Sequence, residues 1–227
     1  MLKKLCDISG FNASLGHGFR GSVASSLEQG QANCLVAQPK NLHDGELEST
    51  LDEAHIPKIK PNSKALLSEG DILLSNRGVF KAAVYRGVDS SSLMSGITES
   101  KTVIPSPLIS NSLNDSNDGA ALPIIAASSL YIIRVSSDAV LPDYLALWFN
   151  SALGQTRLDS LHIGAVIKNI TKSALQDLEI EIPSLAAQQD AVHLSWLSKQ
   201  AQSLYTRQAQ LKAQNAQAAI TQLMQSH

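Results

Sequence analysis

From residue 185 to about 224 no glycine or proline interrupts the chain, so nothing in that run stops a helix once Pro183 has been passed. A helix of ~40 residues at ~1.5 Å per residue is ~60 Å long, and a globule of this size cannot hide it. Ser184 stands where an N-cap is needed. Leu197, Leu204, Leu211 and Ala218 recur at heptad spacing, and Leu194, Ala201, Gln208, Asn215 and Gln222 fill the companion position. This is the a/d stripe of a coiled coil. Its polar members, Gln208, Asn215 and Gln222, weaken the seam and fix its register. A lone helix would leave the stripe wet, so a partner is expected, either a second copy or another protein; the alternative is a helix lying along its own head.

The rest, residues 1–183, reads as one globular domain ahead of a helical segment at 184–227. With 44% hydrophobic and 17% charged residues, the chain has the composition of an ordinary soluble globule. The opening mixes a helix-like start with SLGHGFRGS, a Gly-rich segment that reads as a surface loop from which His17 and Arg20 can face a ligand. Residues 66–86, LLSEGDILLSNRGVFKAAVYR, have β-hairpin grammar. A turn at Glu69-Gly70 leads into a strand through Ile72 and Leu74, and after a break at Gly78 comes a second strand with Val79, Lys81, Ala83 and Tyr85 in alternation. Asn76, Arg77, Lys81 and Arg86 gather around that break. Residues 89–118, rich in Ser, Asn and Asp, read as a long loop. SLYIIRV reads as a core strand, and Pro142 opens a helix whose apolar stripe, Tyr144, Leu145, Leu147, Trp148 and Leu153, belongs in the core. Gly164 ends that region, Thr171 or Ser173 caps a short helix, and LEIEIP alternates apolar and acidic residues as a strand does.

Several functions lack their residues. DEAH at 52–55 has no phosphate loop upstream and is a chance match to a helicase box. The six histidines form no HExxH or His/Cys cluster, and neither a GxSxG elbow nor a dinucleotide fingerprint is present. No catalytic residue, metal or cofactor is therefore expected. The two cysteines, Cys6 and Cys34, match no metal spacing and fit a reduced, cytoplasmic compartment. No signal peptide or membrane span is expected either. A formal charge of −2 removes the simplest argument for nucleic acid, although the placement of cations matters more than their sum.

Three blocks carry a resemblance. LLSEGDILLSNRG, AASSLYIIRVSSDAVLPDYLALWFNS and GQTRLDSLHIGAVIKNITKSALQDLEIEIPSLAAQQ follow in order over residues 65 to 190 or so. Together they resemble the target-recognition domain of a type I restriction-modification specificity subunit, with residues 164–188 the most specific part. The resemblance implies a mixed α/β, or α+β, recognition domain that reads a half-site of double-stranded DNA. It also implies a long C-terminal coiled-coil helix that acts as a spacer and docks methyltransferase subunits. Ala186 and Ala187 stand where that family usually carries acids, which removes a charge contact at the helix start. A full-length subunit is similar to two such units in tandem with antiparallel helices, so one unit implies a half-subunit completed by homodimerisation. Two identical heads on a rigid spacer read an interrupted palindrome.

The residues then suited to DNA contact are Arg20, Asn76, Arg77, Lys81, Arg86, Lys168, Asn169 and Lys172, because Arg forks onto guanine, Asn pairs with adenine and Lys neutralises phosphate. Two other readings stay open. One is a coiled-coil adaptor that binds no DNA, and the other is the recognition domain of a different methylation-based defence system.

Overall fold

The computed structural model describes residues 2–19, 23–60, 62–87, 122–161 and 168–225. Its strands are β1 (Leu2–Lys4), β2 (Asn12–Leu15), β3 (Cys34–Ala37), β4 (Leu42–His43), β5 (Glu46–Leu47), β6 (Asp52–Ala54), β7 (Ile72–Ser75), β8 (Ala82–Val84), β9 (Ile124–Ala126), β10 (Leu130–Arg134) and β11 (Glu179–Glu181). Its helices are α1 (Pro142–Asn150), α2 (Ala152–Leu161), α3 (Lys172–Gln176) and α4 (Leu185–Gln225). The long loop expected at 89–118 and the helix stop at Gly164 lie outside the described residues.

The main sheet has six strands in the order β2-β10-β7-β8-β5-β4. β10 runs antiparallel between β2 and β7, with Ile132 opposite both Ser14 and Leu73. Because successive side chains leave a strand on opposite faces, the apolar runs ILLS and LYIIR must be covered on both sides, and they are. Ile72, Leu74, Val84, Tyr131 and Ile133 point into one core with Leu145, Phe149 and Leu158 of α1 and α2. Leu73, Ala83, Tyr85, Leu130 and Ile132 point into a second core with Val36, Ala37 and Ile125 from the smaller sheet β6-β3-β9. Each fully buried Leu or Ile of these central strands contributes about 1.5–3 kcal/mol. This is the mixed α/β head expected, with a long C-terminal helix after it.

Among the described residues one acid is buried, and it is paired. Asp71 is 3% exposed; Arg134 at the end of β10 forks onto it at 2.7 and 2.8 Å and donates to the Leu66 carbonyl at 2.7 Å. The Asp71 hydrogen bond raises the Arg134 pKa above its ordinary value, against the opposing effect of burial.

Several local expectations need correction. The chain does not open with a helix: β1 pairs antiparallel with β11, Leu2 against Glu181, a long-range pairing that overrides local propensity. The segment SLGHGFRGS is not wholly a surface loop. β2 reaches Leu15, and a Cβ on Gly16 would lie 2.2 Å from the Ala127 carbonyl oxygen, so this glycine serves close packing rather than phosphate binding. Leu153 is 57% exposed rather than in the core, because extended backbone at Ser151 separates α1 from α2 and breaks the stripe. Asp52 of the DEAH match lies on β6 and accepts hydrogen bonds from Gln38 and Lys40.

Other local signals hold. Pro142 opens α1, Thr171 caps α3 by accepting from the Ala174 N–H at 3.2 Å, and Ile180 is buried between exposed Glu179 and Glu181. Among the described residues no helix is long and apolar enough to cross a membrane.

Candidate nucleic-acid interface

The loop between β7 and β8, residues 76–81, is held from both ends. Ser75 is fully buried; its hydroxyl donates to the Val79 carbonyl at 2.6 Å and accepts from the Lys81 N–H at 2.7 Å. Occupied in this way, the Lys81 N–H does not begin a ladder, and β8 starts only at Ala82 instead of at Val79. Asn76 donates through its backbone to the Ser129 carbonyl at 3.0 Å and through its side chain to the Ser128 carbonyl at 3.0 Å. Its own carbonyl accepts from the Ile170 N–H at 3.1 Å. Gly78, at φ 72°, takes a left-handed turn that a side chain would resist, and its N–H donates to the Lys168 carbonyl at 3.0 Å.

The bracing joins Arg77 to the second candidate segment, since Arg77 and Asn169 form an antiparallel bridge. Arg77 is exposed, and its guanidinium has no hydrogen-bond or ion-pair partner among the described residues. Lys168 beside it is exposed but ion-paired with Asp159 at 2.6 Å, and Lys172 is the exposed first residue of α3. The structure thus gathers Arg77, Lys168 and Asn169, with Lys172 on the helix that follows.

It does not gather the others. Asn76 is 4% exposed, with its amide N–H committed to Ser128 and its side-chain oxygen buried without a partner among the described residues, which puts it out of reach of a base edge. Lys81 and Arg86 line a separate cleft of about 670 Å³ between the β4–β5 hairpin, α1 and the start of α4. Arg86 there is ion-paired with Asp143. Arg20 lies outside the described residues. Sequence periodicity missed Val79, which it placed in a strand; at 71% exposure it is the most exposed large apolar residue ahead of α4 among the described residues.

The long helix leaves the head at a fixed point. Ser184 accepts from the Ala187 N–H at 3.3 Å, as an N-cap does. The side chain of Gln188 is fully buried, donating to the Ala139 and Pro183 carbonyls at 2.8 and 3.0 Å and accepting from the Leu141 N–H at 2.9 Å. Ala191, Val192, Ser195 and Trp196 are half-buried, and the Lys199 ammonium reaches the Asp44 carbonyl. From Leu197 onward every described side chain is exposed.

At ~3.6 residues per turn, Gln188, Val192, Ser195, Trp196 and Lys199 share one face of α4. Leu194, Leu197, Ala201, Leu204, Gln208, Leu211, Asn215 and Ala218 share the opposite face. The heptad stripe is therefore open along its length, with Leu194 65%, Leu204 65% and Leu211 50% exposed. The expectation of a helix too long to fold back on its head is met.

Fold and site define a class: a mixed α/β head with a braced cationic loop, carrying one rod-like helix with an unpartnered apolar stripe. The chain belongs to the type I restriction modification DNA specificity domain family, whose model matches residues 48–213. A solved structure from work on complex assembly and conformational transition of the type I R-M system is similar at 16% identity and a TM-score of 0.57. The match covers 94% of this chain and 42% of that one. The HsdS subunit from Thermoanaerobacter tengcongensis matches at 15% identity and a TM-score of 0.48, covering 91% of this chain and 39% of that one. The type I restriction-modification S subunit from M. genitalium matches at 12% and 0.48, covering 91% and 41%. The chain thus spans about two fifths of the length of these structures. No curated protein matches by sequence.

Proposed function

We propose that this chain is the non-catalytic DNA sequence-recognition subunit of a type I restriction-modification system. Its head, residues 1–183, binds a half-site of duplex DNA. Its helix, residues 184–227, pairs with a second copy and docks methyltransferase subunits. The observation that carries this reading is that the family-matched region includes both the braced Arg77 loop and the open stripe from Leu194 to Leu211. In this reading Arg77 on that loop forks onto a guanine edge, while Lys168 and Lys172 neutralise phosphate and Asn169 reads or positions beside them.

Self-pairing of the stripe has a preferred sense. No acid follows Asp190, and the cations beyond it are Lys199, Arg207 and Lys212. In a parallel pair Arg207 occupies a g position and Lys212 the e position of the second copy, a like-charge contact repeated by symmetry. Antiparallel pairing that sets Leu194 against Leu211 separates them and buries the leucines together. The two helix starts then stand about 50 Å apart at ~1.5 Å per residue, with the heads at opposite ends reading an interrupted palindrome.

A gel-shift series in rising salt tests the DNA role. Binding is expected to weaken with a logarithmic slope of about −0.9 per phosphate neutralised. Absence of binding at low salt would favour a coiled-coil adaptor instead.

A further inference from the structure

We infer that Val79 is a base-reading residue whose isopropyl group packs on the C5-methyl of a thymine, next to the base pair that Arg77 addresses. The inference rests on the DNA reading above. An exposed valine is unremarkable when it stands alone, but the surroundings of this one are unusual. The loop that carries it is immobilised by the Ser75 hydroxyl, by Asn76 on Ser128 and Ser129, and by Gly78 on Lys168. None of those bonds is needed to complete the sheet, since β7 already pairs on both sides. What they accomplish is the rigid presentation of two side chains to solvent: the guanidinium of Arg77 and, at 71% exposure, the isopropyl of Val79.

A fixed cation beside a fixed small apolar group matches the edge pattern of the DNA major groove. There guanine offers two acceptors, and thymine is marked by a methyl group. Residues two apart in the chain have Cα atoms at most ~7 Å apart, about two base steps of ~3.4 Å, so both side chains address the same few base pairs. Rigidity favours discrimination, because a braced loop loses little freedom on binding and cannot move its methyl groups away from a wrong base. Lys168 and Lys172 on the adjoining segment supply the cations that hold the phosphates flanking such a contact.

The test uses the full chain. The preferred duplex is first selected from a random library, and each thymine in it is then replaced by deoxyuridine, which lacks only the methyl. One thymine per half-site is expected at which the replacement weakens wild-type binding about fourfold, the value of one buried methyl group. Val79→Ser is expected to bind the thymine and deoxyuridine duplexes equally, having lost the apolar contact that tells them apart. Loss of selectivity in Arg77→Ala at a guanine within about two base steps of that thymine supports the contact, and loss only at a more distant guanine overturns it. Site-selective binding with no deoxyuridine effect, or the same effect in Val79→Ser, overturns the thymine contact alone. Failure of the wild type to bind any duplex overturns the DNA reading, and the contact with it.

Discussion

The backbone N–H of Leu141, at the start of α1, donates to the side-chain oxygen of Gln188 in the first turn of α4 at 2.9 Å. With the two bonds that the Gln188 amide donates to Ala139 and Pro183, one side chain sets the direction in which the long helix leaves the head. A buried amide with donors and acceptor all satisfied is directional in a way that apolar packing is not. Gln188→Leu leaves the Leu141 N–H and two carbonyls without their partner, and an orphaned buried group costs about 1–3 kcal/mol. The expected outcome is a loss of about 2 kcal/mol in denaturant unfolding, and a broadened head-to-helix distance distribution between spin labels on the head and at Ala218.

Arg77 and Lys168 are expected to fail differently when truncated. Arg77→Ala should reduce preference for the selected site by about 1–3 kcal/mol, with unrelated duplex less affected. Lys168→Ala should weaken all duplexes together and lower the magnitude of the salt slope by about one per head. Because Asp159 holds the Lys168 ammonium at 2.6 Å, Asp159→Asn should steepen the slope and tighten binding at low salt. Titrations of each variant at several salt concentrations separate these outcomes.

Three tyrosines give the fold an alkaline limit. Burial, the main cause, raises the pKa of Tyr131, Tyr85 and Tyr144, with nearby Glu69 and Glu181 adding to it for the last two. A phenol raised in the folded state contributes stability that is fully present below its unfolded value near 10 and is lost as pH rises through the folded value. Stability should therefore hold through neutral pH and fall from about pH 10 upward. Tyr131→Phe should flatten that fall; it also removes the 2.9 Å bond to the Ile170 carbonyl, costing about 1 kcal/mol at neutral pH. Urea unfolding at successive pH values measures both effects.

Removal of Arg134 should expose the cost of burying Asp71. Breaking a fully buried pair costs about 3–5 kcal/mol, and because the Arg134 side chain is 37% exposed, water lowers the figure for Arg134→Met to about 2–3 kcal/mol. Asp71→Asn in the same background should recover part of the loss. Thermal unfolding of the single and double variants checks the coupling.

The head was legible in the sequence wherever one strand or helix carried its own signal. SLYIIRV read as a core strand and residues 66–86 as a hairpin, Pro142 and Thr171 or Ser173 marked helix starts, and the uninterrupted run after Pro183 read as a long helix. What local pattern could not show was long-range pairing: β1 finds its partner at β11, with Lys4 opposite Glu179 and its ammonium on Asp177, 173 residues on. The site was legible as a cluster around Gly78 but not in its detail. One buried hydroxyl, that of Ser75, turns the expected strand at Val79 into a presenting loop, and nearness to the Gly78 break groups Lys81 and Arg86 with Arg77 although the fold sends them to the cleft beside α4. Spacing along the chain does not reveal which face a side chain takes when a loop intervenes.

The central claim is that two copies share the stripe on α4 and hold their heads apart. The native mass in solution tests it most directly, measured by light scattering on the full chain and on a Leu204→Glu, Leu211→Glu variant whose substitutions face away from the head. Twice the 24.2 kDa chain mass for the wild type, with the variant at the single-chain mass and its circular dichroism unchanged, is the expected result. A wild-type chain that stays at 24.2 kDa across micromolar concentrations would contradict the shared rod.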